Sequence, residues 1–256
     1  MKYSFIIPVF NRPNEVDELL QSLTTQTLKD FDVLVVEDGS TLPCQDVVAR
    51  YASQLAIHYY NKPNSGPGQT RNYGVQRATG EYVLILDSDV VLLKRFDDFL
   101  DNSFFSSMEY HTAQIEKCGT MQYIDAEGRR TADKYIEGIQ IQAAVMGAEK
   151  GCPFVKKVMD WYADKHFVNE DGSIATNVLS PYIYARVAEG MGFLYKDIDQ
   201  QLPGRIHIYP SETFAGNKHE VTPNSYAIHL CAHSWHMSPM EKIRKWLGIK
   251  EIRKRS

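Results

Sequence analysis

Long apolar runs are missing from this chain. Nowhere do about 18 consecutive apolar residues occur, which leaves no candidate for a membrane-spanning helix. The opening, Met1-Lys-Tyr-Ser-Phe-Ile-Ile-Pro-Val-Phe10, has one Lys and a short apolar core. Pro8, Asn11 and Arg12 follow without a small-residue cleavage site, so no signal peptide is expected. Cysteine is scarce: residues 44, 118, 152 and 231 form no C-x-x-C pair. That pattern speaks against a zinc site or a disulfide framework and points to reduced thiols in a cytoplasmic compartment. Positive charge is not in excess either, and a net charge of −4 gives no field that would draw a nucleic acid. No internal repeat, low-complexity tract or Pro/Gly/Ser-rich linker marks a boundary. With 256 residues, 43% of them hydrophobic, one domain with an ordinary core is the expectation.

What is present is an alternation. Ser4 to Phe10 reads as a buried strand, and Glu15 to Leu28 places Val16, Leu19, Leu20 and Leu23 at helical spacing. Asp32–Glu37 and Ala56–Tyr60 read as strands, with a helix over Asp46–Leu55 between them. Pro67–Ala78 reads as a helix closed by Gly80, and Tyr82–Leu86 as a fourth strand. Strands alternating with helices predict an α/β fold with a mostly parallel sheet covered on both faces. Ligands of such sheets bind beyond the carboxyl ends of the strands. Asn11, Asp38, the stretch 61–68, and Asp87 with Asp89 then fall on one rim. Further along, Arg95–Phe105 looks like an amphipathic helix and Gly119–Arg130 like a hairpin around Ala126-Glu-Gly128. Val155–Lys165 reads as a helix with Val155, Val158, Met159 and Tyr162 on one face. Val178–Gly190 is another helix, and His207–Tyr209 and Tyr226–Leu230 are candidate strands.

Two carboxylates interrupt the apolar run Tyr82-Val-Leu-Ile-Leu-Asp-Ser-Asp-Val-Val-Leu-Leu93. An Asp-x-Asp pattern is weak by itself: chance gives about one such pair, and 30/32 and 197/199 fit it too. The rim position gives 87/89 its weight. Carboxylates there suit a hard cation such as Mg²⁺ or Mn²⁺ that also grips a diphosphate. Arg71 would add a positive charge from the start of the third helix. Asp38, in Val-Val-Glu-Asp-Gly-Ser40, can accept hydrogen bonds from a nucleobase or ribose, or simply cap a turn.

Together these motifs resemble glycosyltransferase family 2 over about residues 1–93. Ser4-Phe-Ile-Ile-Pro-Val-Phe-Asn11 is similar to its opening strand, Val36-Glu-Asp-Gly-Ser-Thr41 to its nucleotide-binding turn, and Leu86-Asp-Ser-Asp89 to its metal motif. Asn64-Ser-Gly-Pro-Gly-Gln-Thr-Arg-Asn-Tyr-Gly74 resembles its N-x-G-x-x-x-A-R-N-x-G stretch, with Thr70 where Ala is usual. The resemblance implies a GT-A fold, a nucleotide-sugar donor (UDP-linked by expectation) and Mn²⁺ or Mg²⁺. It implies Asp38 at the base, Arg71 near the diphosphate and Asp89 on the metal beside Asp87. Pro8, Val9, Asn11, Glu37, Asn64 and Ser88 join the donor site through the same motifs. The family's Glu-Asp catalytic-base segment has no counterpart here.

Residues 136–238 instead resemble the later part of glycosyltransferase family 32, whose sugar-binding region contains a DXD motif. Ala144-Val-Met-Gly-Ala-Glu-Lys-Gly-Cys-Pro-Phe154 is similar to A-x-x-G-A-x-K-G-H-P-F, with Cys152 for His. Leu179-Ser-Pro-Tyr182, Ile208-Tyr-Pro-Ser-Glu-Thr-Phe214 and Tyr226-Ala-Ile-His-Leu-Cys-Ala-His-Ser-Trp235 resemble its later stretches. The implied layout is one GT-A domain over 1–240, with 1–93 binding nucleotide and 94–240 shaping the sugar and acceptor site. By this resemblance His229 completes the metal shell, or is a core histidine, and Trp235 lies against the donor, or is core.

The missing Glu-Asp segment and the later motifs favour retention over inversion at the transferred sugar. Asp199, in Asp197-Ile-Asp-Gln-Gln201, is the candidate catalytic residue beside that sugar; a solvated loop carboxylate is the alternative. The tail 241–256 carries seven Lys/Arg against two Glu. It suits either a frayed helix or contact with an anionic membrane surface, which would bring the enzyme to a lipid-linked acceptor. The expected activity is hexosyl or N-acetylhexosaminyl transfer to a glycan or lipid-linked oligosaccharide in surface polysaccharide synthesis. A non-catalytic nucleotide-sugar or glycan-binding scaffold is the competing class. A nucleotidyltransferase is disfavoured, because Asn11-Arg-Pro-Asn14 has no glycine for a phosphate loop.

Overall fold

The computed structural model describes residues 2–163 and 179–230. Its first half alternates as the sequence predicts: β1 (Tyr3–Val9), α1 (Pro13–Thr24), β2 (Phe31–Asp38), α2 (Gln45–Tyr51), β3 (Ile57–Lys62), α3 (Pro67–Val75), β4 (Tyr82–Leu86) and β5 (Val90–Leu92). The second half adds β6 (Phe104–Tyr110), α4 (Thr112–Cys118), β7 (Ile139–Ile141), β8 (Val145–Glu149), α5 (Pro153–Tyr162) and α6 (Ser180–Glu189). It ends with β9 (Gln200–Leu202), β10 (Ile206–Tyr209), β11 (Phe214–Ala215) and β12 (Ala227–His229).

The main sheet has the order β3-β2-β1-β4-β8-β6-β10-β9, with β7 pairing β6. β1, β2, β3 and β4 are mutually parallel. β8 is antiparallel to both β4 and β6, so β6 runs with β4, and β10 is parallel to β6. The carboxyl ends of β1, β2, β3, β4, β6 and β10 therefore share one rim. A small sheet, β11-β12-β5, lies across the residues that follow β4.

Local chemistry explains the elements. Pro13 opens α1, and Val16, Leu19, Leu20 and Leu23 are buried along one stripe. The helix stops at Thr24, short of the expected Leu28. There Thr24 Oγ1 and Thr25 Oγ1 bond back to the carbonyls of Gln21 and Ser22, each at 2.7 Å, and compete with the helix ladder. Alternation on β6 splits two aromatics between the faces. Phe105 stacks on Phe99 with centroids 4.9 Å apart, whereas Phe104 meets Phe154 at 4.6 Å on the other side. Two apolar clusters thus flank one sheet.

Three expectations need correction. Arg95–Phe105 is not a helix: a 3₁₀ turn at Asp97–Phe99 leads into β6. Phe96, Phe99 and Leu100 satisfy helical spacing by accident, while Phe96 and Phe99 meet each other and Phe105 through tertiary packing. The hairpin over 119–130 contracts to one antiparallel bridge, Ile124 with Arg130, after a 3₁₀ turn at Thr120–Tyr123. On α5 the buried stripe is Phe154 and Val158, while Met159 is 63% and Tyr162 41% exposed.

Gly147 on β8 lies between Leu84 and Phe105 in the ladder. A Cβ there would stand 2.4 Å from Phe105 Cε1 and 2.7 Å from Tyr82 Cε1, whose rings stack over it. Gly147→Ala should cost about 1–3 kcal/mol through overpacking. Urea denaturation of the purified variant checks this, and an unchanged midpoint would contradict the packing.

Candidate functional site at the carboxyl rim

The rim is built from loops that fasten to one another. Asn11 follows β1 with φ +56. Its Oδ1 accepts from the amides of Thr41 and Leu42 at 2.8 and 2.9 Å, and its own amide donates to Ser40 Oγ at 2.8 Å. Pro8 and Val9 end β1 in register with Val36 and Glu37. Glu37 is fully buried and accepts from Ser40, from the Cys44 amide at 2.9 Å and from Tyr59 at 3.1 Å. It therefore acts on the loop 38–44 from beneath and presents no surface to a ligand. Burial and the Glu37 carboxylate push the Cys44 thiol far up, so the thiol stays protonated.

Asp38, buried at the end of β2, gathers the β3–α3 loop. Oδ1 pairs with Lys62 and accepts the Ser65 amide at 2.9 Å, and Oδ2 accepts the Gly66 amide at 2.9 Å. Asn64 Nδ2 donates to the Asp38 carbonyl at 2.9 Å. The approach is close enough that a Cβ on Gly39 would fall 2.7 Å from the Asn64 nitrogen, and Gly39 has φ +70. Burial pushes the Asp38 carboxyl up. The Lys62 hydrogen bond, the Ser65 amide, Thr70 and the Lys62 charge together outweigh it, and the group ends below the ordinary carboxylate value.

Beyond β4, Asp87 and Asp89 each meet an arginine from another element. Arg71, on α3, places Nη2 2.7 Å from Asp87 Oδ1. Arg12, at the entry to α1, places Nη1 2.8 Å from Asp89 Oδ2. Ser88 is buried between the two acids. Burial works against the charge on Arg71, but Asp87 outweighs it and holds the guanidinium more firmly protonated than usual, with Tyr184 of α6 nearby. Arg71 Nε is buried and has no hydrogen-bond partner among the described residues, as a donor reserved for an anion would be. The small sheet pairs His229 with Val90 and sets its Nε2 3.3 Å from Asp89 Oδ1.

That last spacing suits two neighbouring ligands of one cation. Bonds of about 2.1 Å would subtend roughly 100°, close to the right angle that octahedral ions prefer. Among the described residues no set of three or more His, Cys, Asp or Glu donors converges. One carboxylate and an imidazole, with Asp87 beside them, fit an ion that takes its remaining ligands from substrate phosphates.

Asp199 is not brought here. It stands before β9, exposed, with His207 Nε2 2.8 Å away. Four strand positions separate β9 from β4, roughly 19 Å at about 4.8 Å each. Trp235 and the basic tail lie outside the described residues. The stretch 61–68, and with it Lys62, was expected on the rim without a role, whereas Arg12, Tyr184, Glu109 and His111 escaped the sequence reading. Arg12 had a readable signal, since it stands beside Asn11 in the loop after β1. Glu109 and His111 were hidden by the helical reading of 95–105, which removed β6. Glu109 Oε1 lies 3.0 Å from His111 Nε2. That hydrogen bond raises the imidazole pKa against burial; the charges of Glu109 and Glu220 raise it further, and His229 lowers it.

Comparison with known proteins matches this arrangement to a family model, "Glycosyl transferase family 2", over residues 4–129. Residues 4–129 thus resemble family 2 glycosyltransferases, over just under half of the chain. An uncharacterized glycosyltransferase of Rickettsia conorii is 38% identical over 116 residues, 43% of this chain and 19% of its own length. The poly(ribitol-phosphate) beta-N-acetylglucosaminyltransferase TarS of Staphylococcus aureus is 38% identical over 93 residues, 35% of this chain and 16% of its own. The poly(ribitol-phosphate) beta-glucosyltransferase of Bacillus spizizenii is 35% identical over 94 residues, 35% of this chain and 15% of its own. The chain thus aligns with less than a fifth of each of these relatives. The crystal structure of S. aureus TarS superposes with TM-score 0.50 at 20% identity, covering 91% of this chain and 37% of that one. A shorter TarS structure in complex with UDP also gives 0.50 at 20%, covering 89% of this chain and 60% of that one. The fold of the matched segment and the strands that complete its sheet is GT-A.

The stabilisation from Asp38 is fully present above the ordinary Asp value of about 3.9 and is lost as pH falls through the lower folded value. Asp38→Asn should therefore cost about 1–3 kcal/mol at pH 6, with the gap to wild type closing in strong acid. Urea melts of both proteins along a pH series measure it; a gap that widens on acidification would refute the arrangement.

Proposed function

We propose that this chain is a metal-dependent glycosyltransferase that moves a sugar from a UDP-linked donor to a glycan or lipid-linked acceptor of a surface polysaccharide. The observation that carries the reading is the meeting of Asp87, Asp89, Arg71 and His229 at the carboxyl end of β4. Asp89 and His229, with Asp87 beside them, would hold Mn²⁺ or Mg²⁺, and an imidazole ligand favours Mn²⁺. When bound, such an ion supplies Lewis-acid neutralisation of the leaving diphosphate. Arg71, with its orphaned Nε, meets the same charge from the protein side. Arg12 keeps Asp89 compensated when the donor is away. Asp38 and Asn64 hold the nucleoside side of the rim in place.

The names of two relatives support the donor and acceptor classes, since both act on poly(ribitol-phosphate) and a TarS structure takes UDP. Both names specify β products, and UDP-hexoses of the gluco series are α-linked, so we read inversion here and depart from the expectation of retention. We also propose a single domain over 1–240, because β8 of the later half lies between β4 and β6 of one sheet. The family 32-like stretch Ala144–Phe154 supplies β8 and the turn into α5, with the Ala144 carbonyl 2.9 Å from the Asp87 amide.

A thermal-shift screen of UDP-sugars with MnCl₂ tests the reading. At about 100 times Kd a true donor adds about 2.7 kcal/mol, a rise of roughly 5–10 °C for a domain of this size. Asp89→Asn should abolish the manganese-dependent part. No shift with any UDP-sugar would end the proposal, and binding without UDP release would favour a scaffold.

A further inference from the structure

We propose that Glu109 and His111 form the acid–base pair that deprotonates the acceptor. This rests on the glycosyltransferase reading above and assigns the base that the sequence motifs left unfilled. An inverting transfer needs a proton acceptor beside the attacking hydroxyl. Asp87 and Asp89 are committed to Arg71 and Arg12, and Asp199 stands at the far edge of the sheet.

Register places the pair. Leu86 of β4 lies opposite Val145 of β8. Phe105 of β6 lies opposite Gly147, so Ser107 comes level with Val145. Glu109 lies two residues beyond Ser107, and Asp87–Asp89 turn just beyond Leu86, on strands two spacings, roughly 10 Å, apart. A gap of about that width leaves room for a sugar between the two strand ends. The face is also fixed. Glu109 alternates onto the side of Phe105, which packs with Phe214 of β11. Gly216 follows β11, and a Cβ on it would lie 3.7 Å from His111 Cε1. Gly216 donates its amide to Glu220 Oε2 at 3.1 Å. His111 thus opens toward the β11–β12 loops that deliver His229 to Asp89.

The pair has the internal geometry of an oriented base. His111 Nε2–H donates to Glu109 Oε1 at 3.0 Å, which fixes the tautomer and leaves the lone pair on Nδ1. Nδ1 has no hydrogen-bond partner among the described residues. The His111 side chain is 41% exposed and that of Glu109 29%, so an acceptor can reach them. In the step, Nδ1 takes the acceptor's O–H proton as that oxygen bonds to the anomeric carbon. The bond from that carbon to the diphosphate breaks, and its electron pair leaves on the nucleoside diphosphate toward Arg71. Glu109 and Glu220 stabilise the imidazolium that forms.

The test uses the full chain with UDP-N-acetylglucosamine and UDP-glucose, MnCl₂ and water as acceptor. It reads UDP release and, by titration calorimetry, donor affinity. His111→Ala should lower turnover roughly 10²- to 10⁴-fold with donor Kd unchanged, and added imidazole should restore part of the rate. Glu109→Gln should lower turnover less. His111→Asn, with its melting temperature compared to wild type, separates lost chemistry from lost folding. Wild-type turnover in His111→Ala overturns the pair. So does a loss that imidazole does not rescue while Glu109→Gln loses as much, because the carboxylate would then be the base. Weakened donor affinity in folded His111→Asn overturns it too, as donor positioning. Wild-type protein that binds no member of the UDP-sugar panel overturns the glycosyltransferase reading and the pair with it.

Discussion

Asp89 is 3% exposed, and an ionised carboxylate so far from water needs a positive partner, since desolvating an unpaired ion costs several kcal/mol. Arg12 provides that partner from the loop after β1, and His229 approaches the other oxygen from β12. Asp87, two residues earlier, meets Arg71 from α3. Three segments far apart in sequence are therefore drawn to the end of β4 by the need to balance two charges. In the proposed function the same charged groups would exchange partners with a cation and a diphosphate.

The sheet makes that meeting possible. Its parallel strands aim their carboxyl ends at one rim, and polar residues at the ends of β1 and β2 fasten the loops after β2 and β3. Asn11 staples the first loop to residues 40–42, Glu37 holds the loop 38–44 from below, and Asp38 holds residues 64–66. Gly39 lets two of these loops approach within a distance that a side chain would block. The antiparallel β8, inserted between β4 and β6, sets the width of the gap across which donor and acceptor would face one another.

Much of the rim was legible in the sequence because its signals are local. Period-two and period-3.6 patterns placed the first four strands and their helices within a few residues, and the acids after β2 and β4 follow directly from them. Glu37 shows the limit. Its motif neighbours put it at the donor, but alternation along β2 turns its side chain into the interior. Residues 95–105 show another: Phe96, Phe99 and Leu100 mimic a helical stripe although a turn there leads into a strand. With β6 misread, Glu109 and His111 had no place on the rim.

The sequence by itself determined the α/β alternation, the parallel first half and the carboxylates at the strand ends, since these depend on spacing between near neighbours. Only the tertiary structure decided which arginine serves which aspartate, that His229 reaches Asp89, and that Asp199 stands apart. Those pairings depend on strand order and on an antiparallel insertion. Both are set by packing between residues dozens of positions apart, which leaves no periodic trace along the chain.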